Sequence, residues 1–198
     1  MNIIFIIFIV IVVAIILALI CLMIYIKVQS NKHKICDKYY EDFKSLSKLE
    51  LKYAKMGSCN TTSIEYNSNN KYIKKIFAWI PSELENINKK FPMIVVVNPS
   101  NTKAKDYKQI FDKLASWGFI VFGNDDPQTG NGKISSITLD YILNNDGIIQ
   151  GKIDIDNIGI IGYSKGGVGG INVVTRYDNG KINKKDYIFR QCCLFTFI

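Results

Sequence analysis

Ile158-Gly-Ile-Ile-Gly-Tyr-Ser-Lys-Gly-Gly-Val-Gly-Gly170 runs from a short apolar stretch into a glycine-rich segment. Within it, Gly162-Tyr163-Ser164-Lys165-Gly166 has the G-x-S-x-G spacing of a nucleophile elbow, a serine lifted onto a tight strand-to-helix turn. The backbone folds back on itself in such a turn, so the positions two before and two after the serine call for residues without side chains. Ser164 is therefore the candidate nucleophile, with Gly162 and Gly166 as the elbow glycines. Close packing of a helix on a sheet could account for the glycines alone, at a helix cost of ~1 kcal/mol each relative to alanine. It does not call for a serine at the tip.

The sequence upstream reads as alternating strands and helices. Thr62 to Tyr66 and Tyr72 to Ile80 suggest an antiparallel pair across the turn Asn67-Ser-Asn-Asn70, ended by Pro81. Met93-Ile-Val-Val-Val97 and Phe119-Ile-Val-Phe122 are uninterrupted apolar runs, as expected of strands buried on both faces of a parallel sheet. Between them, Tyr107, Ile110, Phe111 and Leu114 fall at i, i+3, i+4, i+7, which predicts a helix over Lys103 to Trp117 stopped by Gly118. A further helix is expected over Ser135 to Leu143, and Ile158 to Ile161 forms the strand entering the elbow. This alternation implies right-handed crossovers and a doubly wound, mostly parallel α/β sheet.

Ile3 to Ile26 is an unbroken apolar run. At ~1.5 Å per residue it reaches ~36 Å as a helix, enough to cross a ~30 Å hydrocarbon core with some tilt. It lacks the basic start, short apolar region and small-residue cleavage site of a secretory signal. It reads as an uncleaved single-pass anchor whose partner is the lipid bilayer. Lys27, Lys32, Lys34 and Lys38 follow the span and nothing basic precedes it, which by the positive-inside rule puts the bulk of the chain in the cytoplasm. Anchored hydrolases often work outside the cell, so the side stays open. The organisation expected is an anchor over 1–29, a polar stalk over 30–56 and an α/β domain over 57–198. In the stalk, Tyr39, Tyr40, Phe43, Leu46 and Leu49 fall at roughly helical spacing.

The formal charge of +8 raises the question of nucleic acid. Only Arg176 and Arg190 offer the planar fork suited to phosphate and guanine, and no aromatic-basic motif accompanies them, so no nucleic-acid partner is expected. The five cysteines show neither CxxC nor metal spacing, so no metal is expected. A Cys36–Cys59 disulfide would require an oxidising compartment. Ser45-Leu-Ser-Lys48 matches S-x-x-K, without the S-D-N or K-T-G elements that give that spacing meaning. Gly159 to Gly166 approaches a P-loop but fails at two fixed positions, with Ser164 in place of a glycine and Gly166 in place of the magnesium-binding hydroxyl. Asp125 and Asp126 follow a strand at the edge where such sheets bind ligands, and read as the start of a polar loop. Trp79 and Trp117 sit in apolar patterns and read as core.

Three blocks make the chain resemble the α/β-hydrolase superfamily, in its branch of dienelactone hydrolases and cutinase-like polyester hydrolases. They are Pro92-Met-Ile-Val-Val-Val-Asn-Pro-Ser100, Leu114-Ala-Ser-Trp-Gly-Phe-Ile-Val121, and Gly151-Lys-Ile-Asp154 leading to the elbow. The resemblance spans roughly Tyr53 to Val174. It implies a serine hydrolase without cofactor, acting on a small ester or acyl substrate through an acyl-enzyme on Ser164. It also implies an oxyanion site built from the backbone N–H of Lys165 and an N–H of the loop after Val97. Pro99 has no N–H, which leaves Ser100 or Asn101 for that second position.

The chain departs from the family pattern at Tyr163, where the family usually has histidine, and at Lys165, often methionine there. A larger departure is the base. A serine needs a general base to take its proton, in this family a histidine that follows the elbow together with an acid. The only histidine is His33, which precedes every predicted strand. About 34 residues follow Ser164, and Arg190-Gln-Cys-Cys-Leu-Phe-Thr-Phe-Ile198 differs in composition from what precedes it. The expectation is a hydrolase domain truncated after the elbow, lacking a complete triad. The alternative is a catalytically inactive, membrane-tethered binding module of the same fold.

Overall fold

A computed structural model describes residues 3–32, 47–127, 129–145, 147, 149, 151–176 and 189–194, and for 30–32, 85, 129 and 189–194 the backbone alone. The chain divides into two compact units, Met1–Cys36 and Asp37–Ile198. His33, Cys36, Ser45 and the spaced apolar residues Tyr39, Tyr40, Phe43 and Leu46 lie outside the described residues.

In the first unit, α1 (Ile3–Lys32) is apolar on every side through Ile26, so it has no polar face to turn to water. Over Ile3–Gln29 it is long and apolar enough to cross a membrane. At its polar end the Gln29 amide Nε2 donates to the Tyr25 hydroxyl one turn back, at 3.0 Å.

The second unit is built on a six-stranded mixed sheet. Its strands are β1 (Thr61–Asn67), β2 (Lys75–Pro81), β3 (Phe91–Val97), β4 (Ile120–Asn124), β5 (Ile153–Tyr163) and β6 (Phe189–Leu194). They lie in the order β1-β2-β4-β3-β5-β6. β2 is antiparallel to both β1 and β4, whereas β4, β3, β5 and β6 run parallel. Four helices accompany them: α2 (Lys48–Ala54), α3 (Lys108–Ser116), α4 (Lys133–Asn144) and α5 (Lys165–Arg176).

Strand alternation divides the core between the two faces of the sheet. On one face Phe77, Trp79 and Val121 pack with Ala104, Phe111 and Ala115 of the segment containing α3. On the other, Ile76, Ala78, Met93, Val95, Phe122, Ile158 and Ile160 pack with Leu139 and Ile142 of α4 and Val173 of α5. The apolar spacing Ile110-Phe111-Leu114 thus marks the face that α3 buries, as its helical period requires.

Several boundaries differ from the sequence expectation, each for a local reason. The β1–β2 connection is longer than the predicted Asn67–Asn70 turn. Ile73 is 3% exposed and packs in the core, so Tyr72 and Lys74 belong to the turn and β2 starts at Lys75. Side chains brace the turn: Ser68 Oγ accepts from the Asn70 N–H at 3.0 Å and Asn70 Oδ1 from the Tyr72 N–H at 2.9 Å. Pro81 is the last residue of β2 rather than a residue beyond it. It is tolerated because β4 pairs only with Ile76 to Trp79, so no ladder bond to β4 is lost there.

The single helix predicted over Lys103 to Trp117 is a 3-10 turn, Ala104–Tyr107, followed by α3. The Asp106 carboxylate accepts the Lys103 N–H at 2.8 Å and stabilises that tighter start. β5 reaches back to Ile153, beyond the predicted Ile158, across a register shift opposite Pro92 and Met93. The extra residues are held by the Asp154 carboxylate, which accepts from the Asp156 N–H at 3.2 Å and from Asn157 Nδ2 at 2.9 Å.

Ser116 and Trp117 tie the chain before β1 to the end of α3. The Tyr53 and Trp117 rings lie 5.2 Å apart, and Trp117 Nε1 donates to the Lys55 carbonyl at 3.1 Å. The Gly57 N–H donates to Ser116 Oγ at 2.7 Å. Trp117 is thus partly an anchor for this segment, while Trp79 is a core residue stacked edge-on against Phe111 at 4.6 Å.

Candidate active site

Ser164 stands alone between the last residue of β5 and the first of α5. Its φ is +53°, in the left-handed region, one of two such values among the described non-glycine residues. An L-residue held there carries ~1–3 kcal/mol of strain. The conformation lets the chain reverse from strand to helix within one residue, and the Ser164 carbonyl accepts the Gly167 N–H at 2.9 Å to close the turn. The serine is exposed at the tip.

The flanking glycines are required by space. A Cβ on Gly162 would overlap the Gly166 carbonyl oxygen and lie 2.7 Å from the Gly167 nitrogen. A Cβ on Gly166 would overlap the Val97 carbonyl oxygen and lie 2.5 Å from that of Asn98. Gly167, the third glycine of the run, has no neighbour closer than 3.6 Å. Of these three, the two that the elbow spacing singles out have no room for a side chain, and Gly166 also brings α5 against the end of β3.

Strain at Ser164 makes a measurable prediction. Ser164→Gly should be at least as stable as the parent chain, because glycine adopts positive φ without steric cost. Ser164→Val should lose about 1–2 kcal/mol, since a β-branched residue is a true outlier there. Equal unfolding midpoints for the two variants would contradict the left-handed turn.

Parallel pairing gathers three loops at one edge of the sheet. Val97 lies opposite Gly162 in register, and β4 runs beside β3 in the same direction. The loop after β3, the loop after β4 and the elbow therefore emerge together. In the first loop the Asn101 N–H donates to the Pro127 carbonyl at 3.3 Å and Asn101 has φ +60°. Of the two second oxyanion donors expected, Asn101 is thus engaged with the neighbouring loop, which leaves the Ser100 N–H. The Lys165 N–H opens α5, where the first amides of a helix have no intrahelical acceptor. The Lys165 stem runs toward the second loop, its Cγ 3.0 Å from where a Gly130 Cβ would stand.

A buried amide chain that sequence reading does not single out fixes these loops. Asn98 Nδ2 donates to the Asn124 carbonyl at 2.6 Å, and Asn124 Nδ2 donates to Thr138 Oγ1 at 2.9 Å. Asn124 Oδ1 accepts the Asp126 N–H at 2.9 Å, and Asn172 Nδ2 of α5 donates to the Gly130 carbonyl at 3.0 Å. Asn98 and Asn124 are almost fully buried. The available signal is an asparagine within two residues of the end of each apolar strand run, Asn98 after Val97 and Asn124 two positions after Phe122. Asp125 and Asp126 begin the second loop, as predicted.

Tyr107 stands behind the first loop, close to Thr102 and to Tyr163; burial first, then the neighbouring Tyr163, push its phenol above the ordinary range. Among the described residues no side chain accepts a hydrogen bond from Ser164 Oγ, and no group of three or more His, Cys, Asp and Glu is placed to hold a metal ion. No protein-family model matches the chain, and no curated protein matches it.

Proposed function

We propose that this chain carries the nucleophile-bearing part of a membrane-anchored serine hydrolase of the α/β-hydrolase superfamily, acting on carboxylic esters through an acyl-enzyme on Ser164. The reading rests on one observation: Ser164 at positive φ on a strand-to-helix turn whose flanking glycines have no space for a Cβ. Helices on both faces of the sheet, and a loop after β3 lying beside the elbow, agree with it. In the anchor part of the reading, Ile3–Ile26 of α1 crosses the bilayer.

In this mechanism Ser164 Oγ attacks the ester carbonyl carbon, and the alcohol leaves as the carbonyl re-forms on the serine. The N–H groups of Lys165 and Ser100 hold the oxyanion of the tetrahedral intermediate. Water then releases the acid. Each half-reaction requires a group that takes and returns the proton. Among the described residues no side chain accepts a hydrogen bond from Ser164 Oγ, and this favours a second reading, an inactive binding module that keeps the turn without the chemistry.

A fluorophosphonate probe separates the two. Labelling of the full-length chain at Ser164, abolished in Ser164→Ala, is the result expected of the hydrolase. A folded chain that takes no label and hydrolyses no short-chain ester rules the hydrolase out and leaves the module.

A further inference from the structure

The edge of the sheet that carries Ser164 also carries an unbalanced basic and aromatic cluster. β2 is antiparallel to β4, and Ile76 lies opposite Asn124 at the end of β4. The β1–β2 turn therefore stands at the same edge as the elbow. Within it Tyr72 is 48% exposed, although the adjacent Ile73 is buried. Two ammonium groups lie over its ring, Lys71 Nζ at 4.8 Å and Lys133 Nζ, from the start of α4, at 5.0 Å. Lys74 is exposed on the same turn.

Three carboxylates of this edge have partners outside the cluster. Glu65 bridges Lys75 and Lys105, and Asp125 also faces Lys75. Asp106 accepts the Lys103 N–H. Among the described residues, Lys71, Lys74 and Lys133 have no carboxylate within ion-pair distance. A hydrogen bond from Lys71, and then the charges of Lys71 and Lys133, hold the Tyr72 phenol below the ordinary range.

We propose that Lys71, Tyr72, Lys74 and Lys133 form a docking surface for the anionic headgroups of a lipid bilayer. An exposed tyrosine ring between lysines suits the membrane interface, where one end of the ring is apolar and the other wet. Each lysine near an anionic surface contributes roughly fivefold in partition, and the effect decays over a Debye length. The opposite edge carries Lys89, Lys90 and Lys152, with Asp154 and Asp156 among them at the start of β5, so its charge is partly offset. The proposal rests on the anchor reading of α1, which would keep this domain near a bilayer and make weak surface contacts effective. Docking through this rim brings Ser164 to the lipid surface, where esters with long acyl chains reside.

The test uses the full-length chain in vesicles of phosphatidylcholine with and without phosphatidylglycerol. An impermeant amine-reactive reagent labels outward-facing chains, and mass spectrometry reads each lysine against Lys89 and Lys90. Phosphatidylglycerol should lower labelling of Lys71, Lys74 and Lys133 by roughly fivefold. High salt should restore it, and in the Lys71→Glu, Lys133→Glu double variant Lys74 should lose its protection. An unchanged ratio in chains that alkaline carbonate does not extract overturns the docking surface while leaving the anchor intact. Extraction by carbonate overturns the anchor instead, and the labelling ratio then decides the docking surface alone.

Discussion

Gly166→Ala is expected to destabilise the domain by about 3 kcal/mol or more, while Gly167→Ala is expected to raise its stability by up to about 1 kcal/mol. The two glycines are neighbours in one helix, and helix propensity alone favours alanine at both. They differ in what surrounds them. A Cβ at 166 meets the Val97 and Asn98 carbonyl oxygens, which are backbone atoms at the end of a strand paired on both sides, and a strand so held has little room to retreat. A Cβ at 167 makes only an ordinary van der Waals contact, its nearest neighbour 3.6 Å away. Unfolding of the full chain in mild detergent, followed by the fluorescence of Trp79 and Trp117, measures both. If the two substitutions shift the midpoint equally, the close approach of α5 to β3 is wrong.

Phe111→Ala is expected to cost about 3–5 kcal/mol, and Phe111→Leu less than about 1.5 kcal/mol. Phe111 has no exposed surface, and its ring meets Trp79 edge-on at 4.6 Å. It also fills the space over Gly123, where a Cβ would lie 3.1 Å from its Cε2. Truncation leaves a cavity beneath α3 whose walls are strand backbone and Trp79, and such walls relax little. The same unfolding measurement applies. A loss below about 1 kcal/mol for the alanine variant would mean that α3 does not pack on this face.

How far the sequence foretold these features depended on whether their cause was local. Met93 to Val97 and Phe119 to Phe122 were legible as strands because an uninterrupted branched apolar run has few other uses. The buried face of α3 was legible from its period. The start of β2 was not, since Ile73 and Tyr72 are both apolar by composition and only the packing of Ile73 under the sheet assigns Tyr72 to the turn. The backward extension of β5 was hidden behind the polar Asp154-Ile-Asp-Asn157, which reads as a loop until its carboxylate bridges are seen.

At the candidate site, the Gly-x-Ser-x-Gly spacing identified the serine and both crowded glycines. The bracing of the neighbouring loops by asparagines has no such local pattern, because Asn98 and Asn124 are 26 positions apart and meet only through strand pairing. The same holds for the rim lysines. Lys71 and Lys133 look like scattered surface charge in the sequence, and they share one ring because β2 runs antiparallel to β4.

The sequence by itself determined the apolar helix, the alternation of buried strands and helices, and the turn at Ser164, all of which follow from patterns within a few residues. The tertiary structure decided which carbonyls crowd Gly166, which N–H of the loop after β3 is engaged by the neighbouring loop, and which lysines stand beside the serine's edge. Those depend on strand order and direction, and the pairing of segments distant in the chain has no local signature.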